Sequence, residues 1–348
     1  MSLFVKPLED LKIVVFGTGA IGGSVGAWLL PHHDNVVFVD RGEIAQALRD
    51  TGITIYHNDI PDEKENFSVQ VIEDIKDAAD ADVILLGVKN YSLEPVAKSI
   101  KEVTGDHPVI ISMANGAENQ EILPKYFSKV IYCIVSYNAW MDEPVQIGYQ
   151  KKGPLIIGTP DNSNFEEMEK LAAYFSKGVE TVVTDHLQDA VHSKIVINLT
   201  NSLTTLIGHG FKEISDFSLF HKLLPNTLYE GVKIVKAAGY KECKLGGMPP
   251  WILLWAGATL PRALTKGLFK KNVGKMVMSS MSQDILLRGG SDSEIESLTG
   301  YIVDLAKKHN VSSPYNTAIY DLCKENFAKP GFEPLDVTEV MARVEKNM

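Results

Sequence analysis

Gly17, Gly19 and Gly22 stand at G-x-G-x-x-G spacing in Gly17-Thr18-Gly19-Ala20-Ile21-Gly22. The run before them, Lys12-Ile-Val-Val-Phe16, reads as a strand, and the residues after them read as a helix. In that context each glycine has its own task. The first allows a tight turn, the second lets backbone approach a pyrophosphate, and the third lets helix pack on strand, while Ala20 and Ile21 open the helix whose N-terminus meets the phosphate charge. Asp40 ends the next apolar run, Val36-Val-Phe-Val-Asp40. A carboxylate there accepts hydrogen bonds from adenosine ribose hydroxyls and disfavours a 2′-phosphate. Arg41 follows at once, and a guanidinium pairs with a 2′-phosphate or stacks on adenine. The pair leaves NADPH and NADH both open.

Two polar dipeptides lie just beyond further strand-like runs: Lys89-Asn90 after Val83 to Val88, and Asn115-Gly116 after Val109 to Ser112. Both fall at the carboxyl edge of the expected sheet, where open α/β folds bind ligands. Taken singly, Lys89 also fits a solvated loop and Asn115-Gly116 a plain turn. Further on, Lys194, Asn198 and Asn201 share one helical face among Ile195, Val196, Ile197, Leu199, Leu203, Leu206 and Ile207. Burying an ammonium and two amides costs several kcal/mol unless partners or ligands satisfy them, so this stripe is either a site or the helix's wet face. Ser279-Ser280 and Glu294 complete the candidates, and Ser291-x-x-Glu294 also has the spacing of a capping box.

These residues need elements to hold them. The 348 residues suggest about two domains. Short β-branched runs alternate with amphipathic stretches at first, the signature of a parallel sheet with crossover helices. Later strands are expected at Val83–Leu86, Val109–Ile111, Val130–Val135, Leu155–Ile157 and Thr181–Val183, with helices at 92–101, 118–123 and 165–176. After Thr184 long helical patterns take over, at about 186–207, 218–238, 272–288, 294–309 and 314–327. Asp185 and Gln188 have capping-box spacing at that changeover. The boundary is placed there, giving an α/β domain over 1–184 and an all-α domain over 185–348. Within the second, the stretch from Met248 to Lys275 stands apart, with Trp251 and Trp255 followed by Lys266, Lys270, Lys271 and Lys275: an apolar helix, then a basic surface.

Composition bounds the partners. With 34 Lys+Arg against 44 Asp+Glu the net charge is −10, so no global positive field draws nucleic acid. Trp251 to Leu260 is about half the length of a membrane-spanning helix. The first ten residues lack a secretory core, and Cys133, Cys243 and Cys323 form no framework, which points to a cytosolic chain with reduced thiols. Neither nucleic acid, membrane nor metal is expected as a partner.

In this order and placement, the Gly17/Gly19/Gly22 loop, Val88-Lys89, Asn115-Gly116, Lys194-x-x-x-Asn198, Ser280-Met281-x-Gln283-Asp284 and Glu294-Ile295 resemble the ketopantoate reductase family over the whole chain. The resemblance implies a Rossmann domain, an all-α domain like the C-terminal part of 6-phosphogluconate dehydrogenases, and a substrate cleft between them. It also implies NADPH-dependent reduction of 2-dehydropantoate to pantoate, a step of pantothenate biosynthesis. Lys194 then resembles the general acid, with Glu294 beside it as catalytic group and substrate ligand. Asn115 and Lys89 resemble cofactor contacts, and Asn115, Asn198, Asn201 and Ser280 fall on the substrate side. A homodimer is compatible with this reading. Three departures lie on the substrate side: Val277 where an asparagine is common, the close Asn198/Asn201 spacing, and the long Pro249 to Lys275 stretch. They keep two alternatives open, a related oxidoreductase acting on another 2-oxo or 3-hydroxy acid and a dinucleotide-binding sensor without turnover.

Overall fold

The computed structural model describes residues 3–290 and 293–348. The chain divides into two compact units, Met1–Ala190 and Val191–Met348. Among its described residues the first holds twelve strands: β1 (Ile13–Phe16), β2 (Val36–Val39), β3 (Ile53–His57), β4 (Lys64–Phe67), β5 (Gln70–Ile72), β6 (Val83–Leu86), β7 (Val109–Ser112), β8 (Val130–Val135), β9 (Ala139–Glu143), β10 (Gln146–Tyr149), β11 (Leu155–Gly158) and β12 (Thr181–Val183). Eight of them form one sheet in the order β12-β11-β8-β7-β6-β1-β2-β5. Its central strands are buried runs of Val, Ile and Leu, as expected where helices cover both faces.

The sheet departs from the all-parallel expectation at one place. β11 pairs antiparallel with β8, Leu155 opposite Val135. The chain between them makes β9 and β10 instead of a crossover helix, and without a crossover the return must run antiparallel. β9 and β10 join β3 and β4 in a second sheet, ordered β4-β3-β10-β9, that the sequence reading did not foresee. Its members have mixed polar composition, and β4, Lys64-Glu-Asn-Phe67, is an exposed edge strand. Charge on an edge strand blocks further pairing and also hides the strand from a hydrophobicity-based reading.

The second unit is helical, with no strand among its described residues. Its core gathers Leu203, Leu206, Phe220, Leu223, Leu298, Ile319, Cys323 and Val340. The helix Leu187–Ile207 follows a start at which Thr184 Oγ1 accepts the His186 N–H and Gln188 donates to Gln120. The single helix expected over 272–288 is a correction. One helix, Arg262–Val273, ends before Gly274, and a new turn starts at Ser280–Ser282 because Ser279 Oγ accepts the Ser282 N–H. That turn continues in π-helical geometry over Gln283–Leu287. The helix expected over 294–309 likewise opens with π turns at Glu296–Gly300 before Tyr301–Lys308. π turns are rare and concentrate at functional sites.

Candidate active site

In the first unit the glycine loop has the tightness that its spacing predicts. Gly17 has φ of +91°, a conformation that disfavours a side chain. A Cβ at Gly22 would lie 2.2 Å from the Gly17 carbonyl oxygen, so only glycine lets this helix approach the turn. A Cβ at Gly19, by contrast, would meet nothing within 4 Å. That open side faces the start of the helix Ala20–Leu29, whose N-cap makes no side-chain hydrogen bond. Uncapped N–H groups beside open space fit a pyrophosphate.

Asp40 is pinned at the same edge. Its Oδ2 accepts the Thr18 N–H at 2.6 Å and its Oδ1 accepts the Arg41 N–H at 2.8 Å. The carboxylate is thus oriented by the glycine loop itself, with lone pairs to spare for ribose hydroxyls. Arg41 is exposed, and its Nε donates to the Glu73 carbonyl at 3.3 Å.

Three unsatisfied oxygens follow the carboxyl ends of three central strands. Thr18 Oγ1 beyond β1, Asn90 Oδ1 beyond β6 and Asn119 Oδ1 beyond β7 are buried without a hydrogen-bond partner. A buried polar atom left unpaired costs free energy, and these three follow the strand ends at which open α/β sheets bind ligands. Lys89 forms the N-cap of the helix Asn90–Thr104. Asn90 Nδ2 donates to the Asn115 carbonyl, so the structure brings the Lys89 and Asn115 dipeptides together. Asn119, missed in the sequence, fixes the Asn115 turn through Nδ2 bonds to Ser112 Oγ at 3.1 Å and the Ala114 carbonyl at 3.2 Å.

In the second unit Lys194 lies on the helix Leu187–Ile207 with its side chain only partly reached by solvent. Burial pushes its ammonium down to about 8. Among the described residues no hydrogen bond or ion pair holds it. Asn198, on the same face, is 6% exposed, and Asn201 is half-buried.

The polar face does not stop at Asn201. Ser202 and Thr205 continue it, eight and eleven residues beyond Lys194, at helical spacing that could have been read from the sequence. Thr205 Oγ1 lies 2.8 Å from Ser282 Oγ and 3.4 Å from Ser279 Oγ, and these two serines are 2.9 Å apart. They bracket Ser280. Ser202 Oγ lies 2.6 Å from Thr299 Oγ1, inside the π turn that follows Glu294. Hydroxyl pairs therefore tie the Lys194 helix to the two turns that carry Ser280 and Glu294. Glu294 itself is 6% exposed, while its capping-box partner Ser291 lies outside the described residues.

Comparison with known proteins agrees with these arrangements. A family model described as ketopantoate reductase PanE/ApbA matches residues 13–162, and the one for the C-terminal part of that family matches residues 186–326. The 2-dehydropantoate 2-reductase of Pyrococcus abyssi is 26% identical over 323 residues, covering 92% of this chain and 99% of that protein. The one from Halobacterium salinarum is 25% identical over 319 residues, covering 90% and 98%. Among solved structures, the 2-dehydropantoate 2-reductase of Geobacter metallireducens shares the fold with a TM-score of 0.76 at 20% identity, covering 90% of this chain and 99% of that one. A D-mandelate dehydrogenase with NADH and anilino(oxo)acetate does so with a TM-score of 0.73 at 19% identity, covering 97% and 99%. With both family models matched in chain order over most of its length, the chain belongs to the ketopantoate reductase family and is an oxidoreductase.

Proposed function

We propose that the chain reduces 2-dehydropantoate to pantoate in the cytosol with NADPH as the preferred coenzyme, and that Lys194 is the general acid. The observation that carries this reading is the Lys194 ammonium, without a partner among the described residues and pushed down to about 8 on a face shared with Asn198 and Asn201. A general acid works best when its proton affinity lies near the working pH.

The residues fit a dinucleotide: Gly17, Gly19, Ala20, Ile21 and Gly22 would cradle its pyrophosphate, Asp40 and Arg41 its adenosine end, and Lys89 and Asn115 its reactive end. Bound there, it supplies the hydride to the 2-carbonyl carbon of the substrate. Lys194 hydrogen-bonds the carbonyl oxygen. Negative charge grows on that oxygen as the reaction proceeds, so the ammonium stabilises the transition state more than the ground state. The proton then passes from Nζ to the oxygen and completes the alcohol. With its proton affinity at about 8, the amine regains a proton from water at neutral pH. Asn198, Asn201 and Ser280 donate to the substrate carboxylate, and Glu294 accepts from its hydroxyl group.

The test is a screen of 2-oxo acids against both coenzymes. The reading expects 2-dehydropantoate with NADPH to give the highest kcat/KM. Faster turnover of another 2-oxo acid would keep the Lys194 chemistry and change the substrate. Binding of NADPH without oxidation by any acid in the screen would overturn both.

A further inference from the structure

The stretch around Trp251 to Lys275 has a charge pattern opposite to that of the whole chain. Residues 243–283 contain Lys244, Arg262, Lys266, Lys270, Lys271 and Lys275 and no Asp or Glu, in a chain whose net charge is −10. The same stretch exposes large apolar side chains. Ile252, Leu253 and Trp255 stand out from the helix Trp251–Thr259, Leu260 follows, and Leu264 and Leu268 on the helix Arg262–Val273 are 74% and 57% exposed.

This exposure is built in, because the inner face of the second helix is anchored. Phe269 stacks on His221 at 4.3 Å and meets Phe217 and Phe220 edge-on, and Thr265 Oγ1 lies 3.1 Å from His221 Nε2. Anchoring Thr265 and Phe269 inward turns Leu264 and Leu268, one helical turn apart, outward. Lys271 continues their line, while Lys266 and Lys270, one turn apart, form a separate exposed row on another face of the same helix.

We infer that these two helices form a docking surface for an anionic phospholipid membrane, on which the enzyme rests peripherally. An exposed ridge of Leu, Ile and Trp beside a cluster of lysines is the composition of an interfacial helix, whose apolar side chains enter the acyl boundary while the cations meet lipid phosphates. Neither helix is long enough to span, so attachment is to the surface only; no helix among the described residues is long and apolar enough to cross a membrane. Charge complementarity favours lipid over a second copy of the chain. A closed two-fold pairing would set this cluster of cations against itself. The chain's overall negative charge opposes approach to an anionic surface only within about a Debye length, roughly 10 Å, whereas the ridge lies at contact.

Co-sedimentation with vesicles of phosphatidylcholine, with and without phosphatidylglycerol, tests the surface. The side chains replaced are exposed, so the variants keep the fold. Wild type is expected to pellet with the phosphatidylglycerol vesicles and not with phosphatidylcholine alone. The combined variant Lys266→Glu, Lys270→Glu and Lys271→Glu should lower partitioning by at least about tenfold. So should Leu264→Ser with Leu268→Ser, which leaves the charge unchanged. Trp255 fluorescence should shift to the blue on binding, a change lost in Trp255→Phe. Absence of pelleting, or equal pelleting on neutral vesicles, overturns the inference. It is also overturned if sedimentation velocity shows self-association that the leucine variant abolishes while neither protein binds vesicles; the ridge then belongs to a second copy. Reductase activity plays no part in these readouts, so they stand or fall apart from the catalytic reading.

Discussion

Glu230 and Lys194, both on helices of the second unit and both drawn away from water, are treated in opposite ways by their surroundings. Glu230, on the helix Phe217–Ala237, is 3% exposed. Its Oε1 accepts the Asn316 N–H and Asn316 Nδ2, both at 2.8 Å, and its Oε2 accepts the Tyr315 N–H at 3.1 Å. These donors open the helix Pro314–Phe327, whose own N-cap residue, Ser313, caps none of its first N–H groups; the Ser313 hydroxyl pairs with Thr317 Oγ1 at 3.0 Å instead. Burial raises the carboxyl above its ordinary range against the pull of those bonds. The group is a helix cap supplied from a neighbouring helix, with its acceptors taken. Lys194 is shielded from all but part of the solvent and has no such partner among the described residues. A buried charge with partners reads as structure, and one without them reads as a site waiting for a ligand.

The largest expected effect belongs to the unpaired charge. Lys194→Ala should lower kcat by roughly 10²–10⁴ while leaving coenzyme affinity nearly unchanged. A variant that keeps near wild-type kcat on the true substrate would remove the chemical half of the contrast.

Stability should move the other way. Glu230→Ala orphans two buried N–H groups and is expected to cost roughly 2–5 kcal/mol in denaturant unfolding, with catalytic constants little changed in the protein that remains folded. Lys194→Met removes an ammonium that no described residue pairs with and should stabilise the protein by up to about 3 kcal/mol, less the share that solvent already screens. The sign follows from the lowered proton affinity. Below about pH 8 both folded and unfolded chains carry the lysine proton, so the folded state bears the full cost. Between about 8 and the ordinary value of 10.5 the unfolded chain holds more protons, so stability rises with pH and the advantage of Lys194→Met shrinks. Equal destabilisation by both substitutions would show that the two charges play the same structural part.

The smallest effect lies in the first unit, where a similar contrast sets pinned Asp40 beside exposed Arg41. Arg41→Ala should reduce kcat/KM for NADPH by about tenfold and leave NADH nearly unaffected. Equal losses for both coenzymes would show that Arg41 does not read a 2′-phosphate.

What was legible in the sequence follows the same division. Apolar runs such as Val83-Ile-Leu-Leu86 announce buried strands, and the glycine spacing announces its own turn, because both are local patterns. The second sheet was not legible: Lys64-Glu-Asn-Phe67 and Ala139-Trp-Met-Asp-Glu143 are strands through pairing with distant partners. Lys194, Asn198 and Asn201 were legible as a stripe. Their supports were only half so. Ser202 and Thr205 extend the stripe at helical spacing, but their partners Thr299, Ser279 and Ser282 lie far along the chain in turns whose π geometry no periodicity reveals.

The pH dependence of kcat/KM for 2-dehydropantoate, compared between wild type and Lys194→Ala, tests the general-acid assignment most directly. The ammonium is the competent form, so the wild-type rate should be level below about pH 8 and fall about tenfold per pH unit above it. The limb should vanish from the residual activity of Lys194→Ala. A wild-type profile that stays level to the lysine's ordinary value of 10.5, or a limb near 8 that survives in Lys194→Ala, would contradict Lys194 as the proton donor.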